Sequence, residues 1–255
     1  KQLLSEKEYR EVQPLGHDFG EIQHVKGTST HKQACKRSGC KKAKIENCSL
    51  GDGVVTKAAT AKEDGEKSFT CSICNGVTTE KIAKLKAAPT LAAKTFVYNG
   101  KNRKPSVKKI YDADGKLLKK GTDYTVKYPS KCKNVGTYKV TVQFTGNYAG
   151  TYKLAYQINP KAVNLKKVTK GKKSMKVSWK KASGQVTGYR IAYSTNKNFK
   201  KNVKYVKVKG IKKTSVTIKK LQAKKKYYVK VRTYKTVKGK TCYSTWSKVK
   251  TVTTK

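Results

Sequence analysis

Two short cysteine pairs are the residues whose type and spacing most directly suggest chemistry. Four residues separate Cys35 from Cys40, and two separate Cys71 from Cys74. Each pair can form a turn whose two sulfurs point the same way, so together the pairs can place four thiolates around one Zn²⁺. Local disulfides, or one disulfide with free thiols, are an equal alternative in a secreted protein. The sequence therefore predicts either a structural zinc or disulfides at these four positions, and no other cofactor.

Cys48 and His31 are competing ligands, because the spacing of the first cysteine pair is loose for a metal site. The chain has seven cysteines, and this odd number leaves at least one of them unpaired or metal-bound. A catalytic metal is not predicted, because no H-E-x-x-H pattern supplies a general base. A cysteine nucleophile paired with His17, His24 or His31 is conceivable, but we interpret these histidines as surface or packing residues.

Other arrangements typical of enzymes are missing from the sequence. It has no Gly-flanked serine, no cysteine-protease signature and no Gly-rich phosphate loop. A glycosidase requires two carboxylates that converge across a cleft. The acids of the central segment, Asp112, Asp114 and Asp123, fall in predicted turns, and we interpret them as backbone caps. We therefore expect a chain that is not an enzyme.

The distribution of charge is the second functional signal. Residues 161–255 contain 31 Lys or Arg and no Asp or Glu, which gives +31 of the total of +47. A surface of one sign gains little from salt bridges and attracts polyanions. Seven lysines in predicted loops and strand ends are the candidate anion-binding residues: Lys200, Lys201, Lys212, Lys213, Lys224, Lys225 and Lys226.

The nature of the polyanion is constrained by what the sequence lacks. Nucleic-acid recognition usually adds a groove-entering helix or aromatic platforms on a sheet, and neither is predicted here. No apolar run approaches the ~20 residues that cross a bilayer. We therefore do not expect a nucleic-acid partner or a membrane span.

The elements that must position these side chains are β-strands. Apolar and polar residues alternate with a period of two at 175–179, 189–193, 206–208, 216–218 and 229–233. Such alternation indicates half-buried strands with lysines on the solvent face. Six or seven strands within about 95 residues predict a β-sandwich.

Residues of this predicted sandwich resemble a fibronectin type III domain. Trp179 lies on its second strand and Tyr189-Arg190-Ile191 on its third. The spacing of Leu221 and Tyr227 is similar to a tyrosine corner, in which a tyrosine hydroxyl bonds to nearby backbone. The run Tyr243–Ser247 resembles the start of the last strand. The resemblance covers the whole acid-free segment, and lysine-rich versions of this kind are typical of Gram-positive surface proteins.

The central segment resembles a small immunoglobulin-like repeat of bacterial surface and adhesin proteins. The pieces G-T-D-Y, N-V-G and G-N-Y, in that order, carry this resemblance. Asp114-Gly115 predicts a hairpin turn, and the runs 137–142 and 151–158 predict strands. Cys132 stands where a polar loop residue is expected.

The N-terminal segment resembles short Cys-pair repeats scattered through large secreted proteins of the same bacterial group. The pieces Gly16-His17-Asp18-Phe19 and Cys71-Ser72-Ile73-Cys74 carry the resemblance, together with the first cysteine pair. In such repeats a histidine often follows the first pair, and Cys48 stands near that place here. We expect two half-repeats, at 17–53 and 54–86, the second ending in a strand near residues 78–82.

These observations predict an all-β chain of tandem β-sandwiches, one immunoglobulin-like and one fibronectin type III-like, preceded by a small Cys-rich β module. The expected domains are residues 1–86, 90–159 and 160–255. Linkers are expected at Lys84–Pro89 and at Asn159–Lys161, because proline favours an extended preceding residue.

The expected function is non-catalytic adhesion and spacing in a secreted or wall-associated bacterial protein. The chain is expected to be a monomeric part of a longer parent chain at the bacterial surface. Its basic third domain would bind an anionic wall polymer. The alternative is specific binding of a host protein such as an immunoglobulin or a mucin glycoprotein, through an apolar patch or an exposed strand edge.

Overall fold

A computed structural model describes residues 15–255, and these residues form 18 β-strands and no helix. The chain divides into two compact units. The first unit runs to Lys86 and includes Asp112–Asp114 and Gly146–Ala149, and the second contains the rest. The predicted all-β class with tandem sandwiches is confirmed. Residues 1–14 of the predicted Cys-rich module lie outside the described residues.

The first unit contains two small antiparallel sheets of three strands each. One sheet comprises β1 (Phe19–His24), β2 (Thr30–Cys35) and β3 (Ala43–Asn47). The other comprises β4 (Val54–Lys57), β5 (Gly65–Thr70) and β6 (Val77–Ile82). Every residue of β3 is exposed, so these sheets bury little apolar surface of their own.

The second unit begins with a four-stranded sheet in the order β7-β10-β9-β8. Its strands are β7 (Thr95–Val97), β8 (Tyr124–Lys127), β9 (Gly136–Phe144) and β10 (Thr151–Asn159), so both strands predicted here are confirmed. Cys132 is fully buried and belongs to the core of this sheet with Val140, Tyr156 and Ile158. Cys132 thus lies in the loop between β8 and β9, but its side chain packs in the core instead of facing solvent as a polar loop residue would.

Asp123 caps the backbone, as its position in a turn predicted. The Lys119 backbone N–H donates to Asp123 Oδ2 at 2.6 Å. Gly115 lies in the turn that follows Asp114, with φ of 88°, a conformation that favours glycine. Tyr111 and Leu117 pair across this turn in an antiparallel bridge.

Two further sheets of the second unit form a sandwich from residue 165 to residue 253. The first has the order β11-β12-β15, and the second has the order β14-β13-β16-β17, with β18 also paired to β16. Their bounds are β11 (Leu165–Gly171), β12 (Ser174–Trp179), β13 (Gly188–Ser194), β14 (Lys204–Lys209), β15 (Ser215–Ile218), β16 (Lys226–Val237), β17 (Lys240–Tyr243) and β18 (Lys250–Thr253).

The core of this sandwich consists of the apolar residues that alternate along its strands. Trp179, Tyr189 and Ile191 are fully buried, and the rings of Trp179 and Tyr189 lie 5.1 Å apart. The Ala182 N–H donates to the Tyr189 hydroxyl at 2.9 Å, and that hydroxyl donates to the Ile211 carbonyl at 2.8 Å. Hydrophobic burial, rather than ion pairing, therefore holds the acid-free segment together.

The tyrosine corner is present. The Gln222 N–H donates to the hydroxyl of the buried Tyr227 at 3.2 Å, beside the buried Leu221. The hydroxyl thus satisfies a backbone donor in the turn that precedes β16.

We expect Tyr227→Phe to lower the free energy of unfolding of this sandwich by about 1–2 kcal/mol, because the Gln222 N–H loses its acceptor. Chemical denaturation measures the change. Tyr228→Phe is the control, since its ring is only half-buried. An equal loss in both variants would show that the corner hydrogen bond is not the cause.

Two details of this sandwich differ from the prediction. β13 is a central strand, so Ala192, predicted to face solvent, is fully buried. The run Tyr243–Ser247 does not start the last strand but connects β17 to β18. There the hydroxyls of Ser244 and Ser247 accept hydrogen bonds from the N–H groups of β16.

Candidate functional site

All seven candidate anion-binding lysines are exposed. Lys200 and Lys201 lie in the β13–β14 loop, and Lys224, Lys225 and Lys226 lie between β15 and the start of β16. Because these strands are antiparallel, both loops lie at one end of the sandwich, whereas Lys212 and Lys213 lie at the other end. The seven candidate lysines therefore form two basic clusters. The first comprises Lys200, Lys201, Lys224, Lys225 and Lys226, and the second comprises Lys212 and Lys213.

A cleft lies between the loops of the first basic cluster. Its volume is about 470 Å³. Asn202 and Lys204 line it from one loop, Lys220 and Gln222 from the other, and Tyr193 lies at its wall. A cleft bordered by ammonium groups and amide groups is suited to an anionic group. Sequence reasoning did not find Lys204 and Lys220 as members of one site, because their proximity depends on strand pairing.

Cations and aromatic rings alternate across the outer face of the second sheet. The Arg190 guanidinium lies 4.0 Å from the centre of the Tyr205 ring, and that of Arg232 lies 3.7 Å from Tyr243 and 4.3 Å from Trp246. Such contacts contribute about 0.5–2 kcal/mol each, depending on desolvation. Burial lowers the pKa of Arg232, with the Arg190 charge acting in the same direction. Aromatic rings thus take the place of the absent acids as partners of these cations.

The structure divides the four predicted metal or disulfide cysteines between two groups. Cys35 and Cys40 form one group with His17, and Cys71 and Cys74 belong to another. A common four-cysteine site is therefore not the arrangement observed. All seven cysteines are free thiols.

The first group lies nearer the surface and offers three donors, of which His17 is exposed and Cys35 and Cys40 are half-buried. The Cys40 N–H donates to the Arg37 carbonyl at 3.0 Å, which closes a tight turn after β2. Cys40 Sγ lies 3.4 Å from His17 Nδ1. The backbone N–H of Arg37 lowers the pKa of Cys35 most, and Cys40 lowers it further.

The second group is more buried and includes residues outside the predicted four. The potential donor atoms of His31, Cys48, Cys71 and Cys74 all lie within 4.8 Å of one another. His24 lies beside them, with its Nδ1 3.9 Å from both Cys48 Sγ and Cys74 Sγ. The interpretation of the three histidines as surface or packing residues is therefore incomplete, because each of them has a thiol within 4.8 Å of a ring nitrogen.

Local backbone pairing brings Cys48 to the C-x-x-C turn. Leu50 forms an antiparallel bridge with Cys71, and the Ser72 N–H donates to the Ser49 carbonyl at 3.0 Å. The turn itself is closed by the Cys71 N–H, which donates to the Gly76 carbonyl at 2.9 Å. A Cβ at Gly76 would overlap the His24 ring, so glycine is required there for the ring to approach.

The thiols of this group have strongly different acidities. Burial opposes ionisation of Cys71, but the N–H groups of Cys74 and Ile73 outweigh it and lower the pKa to about 6. Burial raises the pKa of Cys48 to about 12, and the neighbouring Cys71 and Cys74 add to this rise. The group therefore favours one thiolate, and a nearby cation is needed to stabilise more than one. This Cys/His cluster can hold a metal ion.

Comparisons with known proteins identify one domain. Residues 159–250 match the family model of the fibronectin type III domain. No curated protein matches the chain.

Three similar solved structures share 19% sequence identity or less with the chain. The FN1–FN3 domains of chicken CNTN1 have 13% identity, a TM-score of 0.35, and 94% of this chain and 99% of that chain aligned. A myokine structure has 19% identity and a TM-score of 0.30, and the alignment covers 37% of this chain and 96% of that chain. A β-1,2-glucanase from Parabacteroides distasonis has 18% identity and a TM-score of 0.31, and the alignment covers 45% of this chain and 17% of that chain. Similarity at this level carries no information on function.

Among residues 15–255, no helix is long and apolar enough to cross a membrane.

The family match covers the sandwich that carries the two basic clusters, the tyrosine corner and the buried Trp179. Residues 159–250 therefore form a fibronectin type III domain, a module that is generally a non-catalytic scaffold and is common as a binding or spacer unit in surface proteins.

Proposed function

We propose that this chain is a non-catalytic adhesion and spacer region of a secreted or wall-associated bacterial protein. Its fibronectin type III domain binds the anionic polymer of a cell wall. One observation carries the proposal: residues 161–255 contain 31 basic residues and no acid. A field of this size attracts polyanions at long range and is screened by salt.

The first basic cluster is the preferred contact for the polymer. Lys204 and Lys220 line the cleft. Lys200, Lys201, Lys225 and Lys226 are exposed in the two loops that flank it, so a flexible phosphate chain can lie across them without displacing a protein carboxylate. Residues 161–255 contain no Asp or Glu, so no carboxylate side chain of this domain neutralises this cluster. Binding therefore replaces counterions rather than internal ion pairs.

The test uses the full chain and poly(glycerol phosphate), the repeating chain of a teichoic acid. Neutralisation of about four phosphates on a flexible chain predicts a loss of affinity of roughly 50-fold between 50 and 200 mM salt. Changing Lys200, Lys201, Lys225 and Lys226 to Gln together removes those contacts, so affinity at low salt falls and its salt dependence flattens. Isothermal titration calorimetry at several salt concentrations measures both.

The matched control changes Lys62, Lys81, Lys84 and Lys86 to Gln, which removes the same charge from exposed positions in the first unit. We expect it to retain most of the affinity. An equal loss in both variants would mean that net charge alone, and no cluster, governs binding. Absence of binding at 50 mM salt would contradict the proposal. Tight binding of an immunoglobulin or mucin that survives 1 M salt would favour the host-protein alternative.

A further inference from the structure

We propose that Cys48, Cys71, Cys74 and His31 bind one Zn²⁺ tetrahedrally, and that this ion links the two three-stranded sheets of the first unit. Three thiolates and one imidazole are a common donor set of closed structural zinc sites. The site is distinct from the basic clusters of the fibronectin type III domain.

The spacing of the donors fits a zinc tetrahedron. Zn–S bonds of about 2.3 Å imply a separation of about 3.8 Å between two sulfurs of a tetrahedral site. Cys48 Sγ and Cys74 Sγ lie 3.8 Å apart, and all four donors lie within 4.8 Å of one another. Small movements of the side chains therefore suffice to close the site around an ion.

His31 has the surroundings of a metal ligand. Its side chain is 2% exposed, and its Nδ1 is buried with no hydrogen-bond partner among the described residues. A buried nitrogen without a partner is costly unless something binds it. Its Nε2 lies 3.7 Å from Glu46 Oε2, and Lys44 holds this carboxylate at 2.8 Å. A carboxylate on the second ring nitrogen is the usual support of a zinc-bound histidine.

His24 is the competitor for the fourth position. Its Nδ1 lies 3.9 Å from two of the three sulfurs, and its Nε2 is also buried with no hydrogen-bond partner in the described part of the chain. We assign the ligand to His31 because its donor lies within 4.8 Å of all three sulfurs and because Glu46 supports its ring. His24 is then a neighbour of the site that contacts Cys48 and Cys74.

The first unit also needs a crosslink of this kind. Its buried apolar residues are few, namely Ala59, Cys71, Ile82, Ala83, Leu85 and Tyr148, and half of them are small. Small modules with such cores usually depend on metals or disulfides for stability. The ligands come from β2, from the segment after β3 and from the β5–β6 turn, so one ion ties together both sheets.

The test uses the reduced, metal-free full chain, to which Zn²⁺ or Co²⁺ alone is added. We expect one tightly bound Zn²⁺ per chain at the four-donor site. Co²⁺ should give intense visible bands of a tetrahedral ion and a near-ultraviolet band of thiolate ligation. Zn²⁺ binding should raise the thermal midpoint of the first unit. An octahedral Co²⁺ spectrum, or no tight binding, would overturn the proposal.

Variants distinguish this site from the group formed by His17, Cys35 and Cys40. Cys71→Ser and His31→Ala should weaken Zn²⁺ binding by more than about 100-fold, and Glu46→Gln by about 10- to 100-fold. Cys35→Ser should keep the affinity and the Co²⁺ spectrum. Loss of the signal in Cys35→Ser but not in Cys71→Ser would refute the site. Full affinity in His31→Ala, with loss in His24→Ala, would refute the assignment of His31.

A disulfide is the competing chemistry, and the same protein tests it. Protein purified without reductant is trapped with an alkylating agent and analysed by mass spectrometry. We expect Cys48, Cys71 and Cys74 to be alkylated after metal removal and protected while Zn²⁺ is bound. A disulfide between any two of them in the purified protein would overturn the proposal.

Discussion

Trp179→Ala should lower the free energy of unfolding of the fibronectin type III domain by about 3–5 kcal/mol. The Trp179 side chain is fully buried among other core side chains, and 0% of its surface is accessible to solvent. It contacts the Tyr189 ring at 5.1 Å between centres, at the point where the two sheets face each other. Its removal deletes the largest fully buried side chain and leaves a cavity that a β-sandwich cannot close without moving a sheet.

Trp246→Ala is the matched comparison, because the chain has only two tryptophans and both lie in this domain. Trp246 is half-buried on the outer face, where Arg232 and Lys230 lie 4.3 and 5.1 Å from its ring. We expect a loss of about 1–2 kcal/mol, the magnitude of lost cation–π contacts and partial burial. In each variant the remaining tryptophan reports denaturant unfolding by fluorescence. Equal losses in the two variants would contradict the assignment of Trp179 to the core.

Gly188→Ala should destabilise the same domain by about 2–3 kcal/mol although it adds only one methyl group. Gly188 begins β13 and pairs with Lys209 on one side and Tyr234 on the other. A Cβ at this position would overlap the backbone oxygen of Val208 and would lie 2.9 Å from the Tyr234 hydroxyl. Because the first obstacle is backbone, a strand has to move, and both ladders of β13 are disturbed.

Gly51→Ala is the control for this substitution, since a Cβ there meets nothing within 4 Å and no left-handed backbone is involved. Denaturant unfolding of both variants should show a loss only for Gly188→Ala. A neutral Gly188→Ala would show that β13 can shift freely, which contradicts its position as a central strand paired on both sides.

The strands of the fibronectin type III domain could be predicted because their signal is local. The alternation Met175, Val177, Trp179 places every second side chain on one face, and this period follows from strand geometry alone. The structure has a strand at Ser174–Trp179 with all three residues fully buried. The excess of positive charge is likewise a property of the residues and not of their arrangement.

The grouping of the cysteines could not be predicted, because it depends on pairing between distant segments. Cys71 and Cys74 are neighbours in any fold, since two residues separate them. Cys48 reaches them only because Leu50 bridges Cys71, and His31 reaches them only through the register of β2. Cys35 and Cys40 take His17 as their neighbour for the same reason. Spacing along the chain contains no information on these contacts.

The all-β class, the half-buried strands of the acid-free segment and its large excess of positive charge could all be inferred from the sequence alone. Period-two alternation and net charge can be recognised without knowing which distant residues are in contact. The lysines that share a cleft, the rings on which the cations stack and the thiols that lie beside a histidine became known only from the fold. Those contacts join residues that are distant in the chain, and strand order and register bring them together.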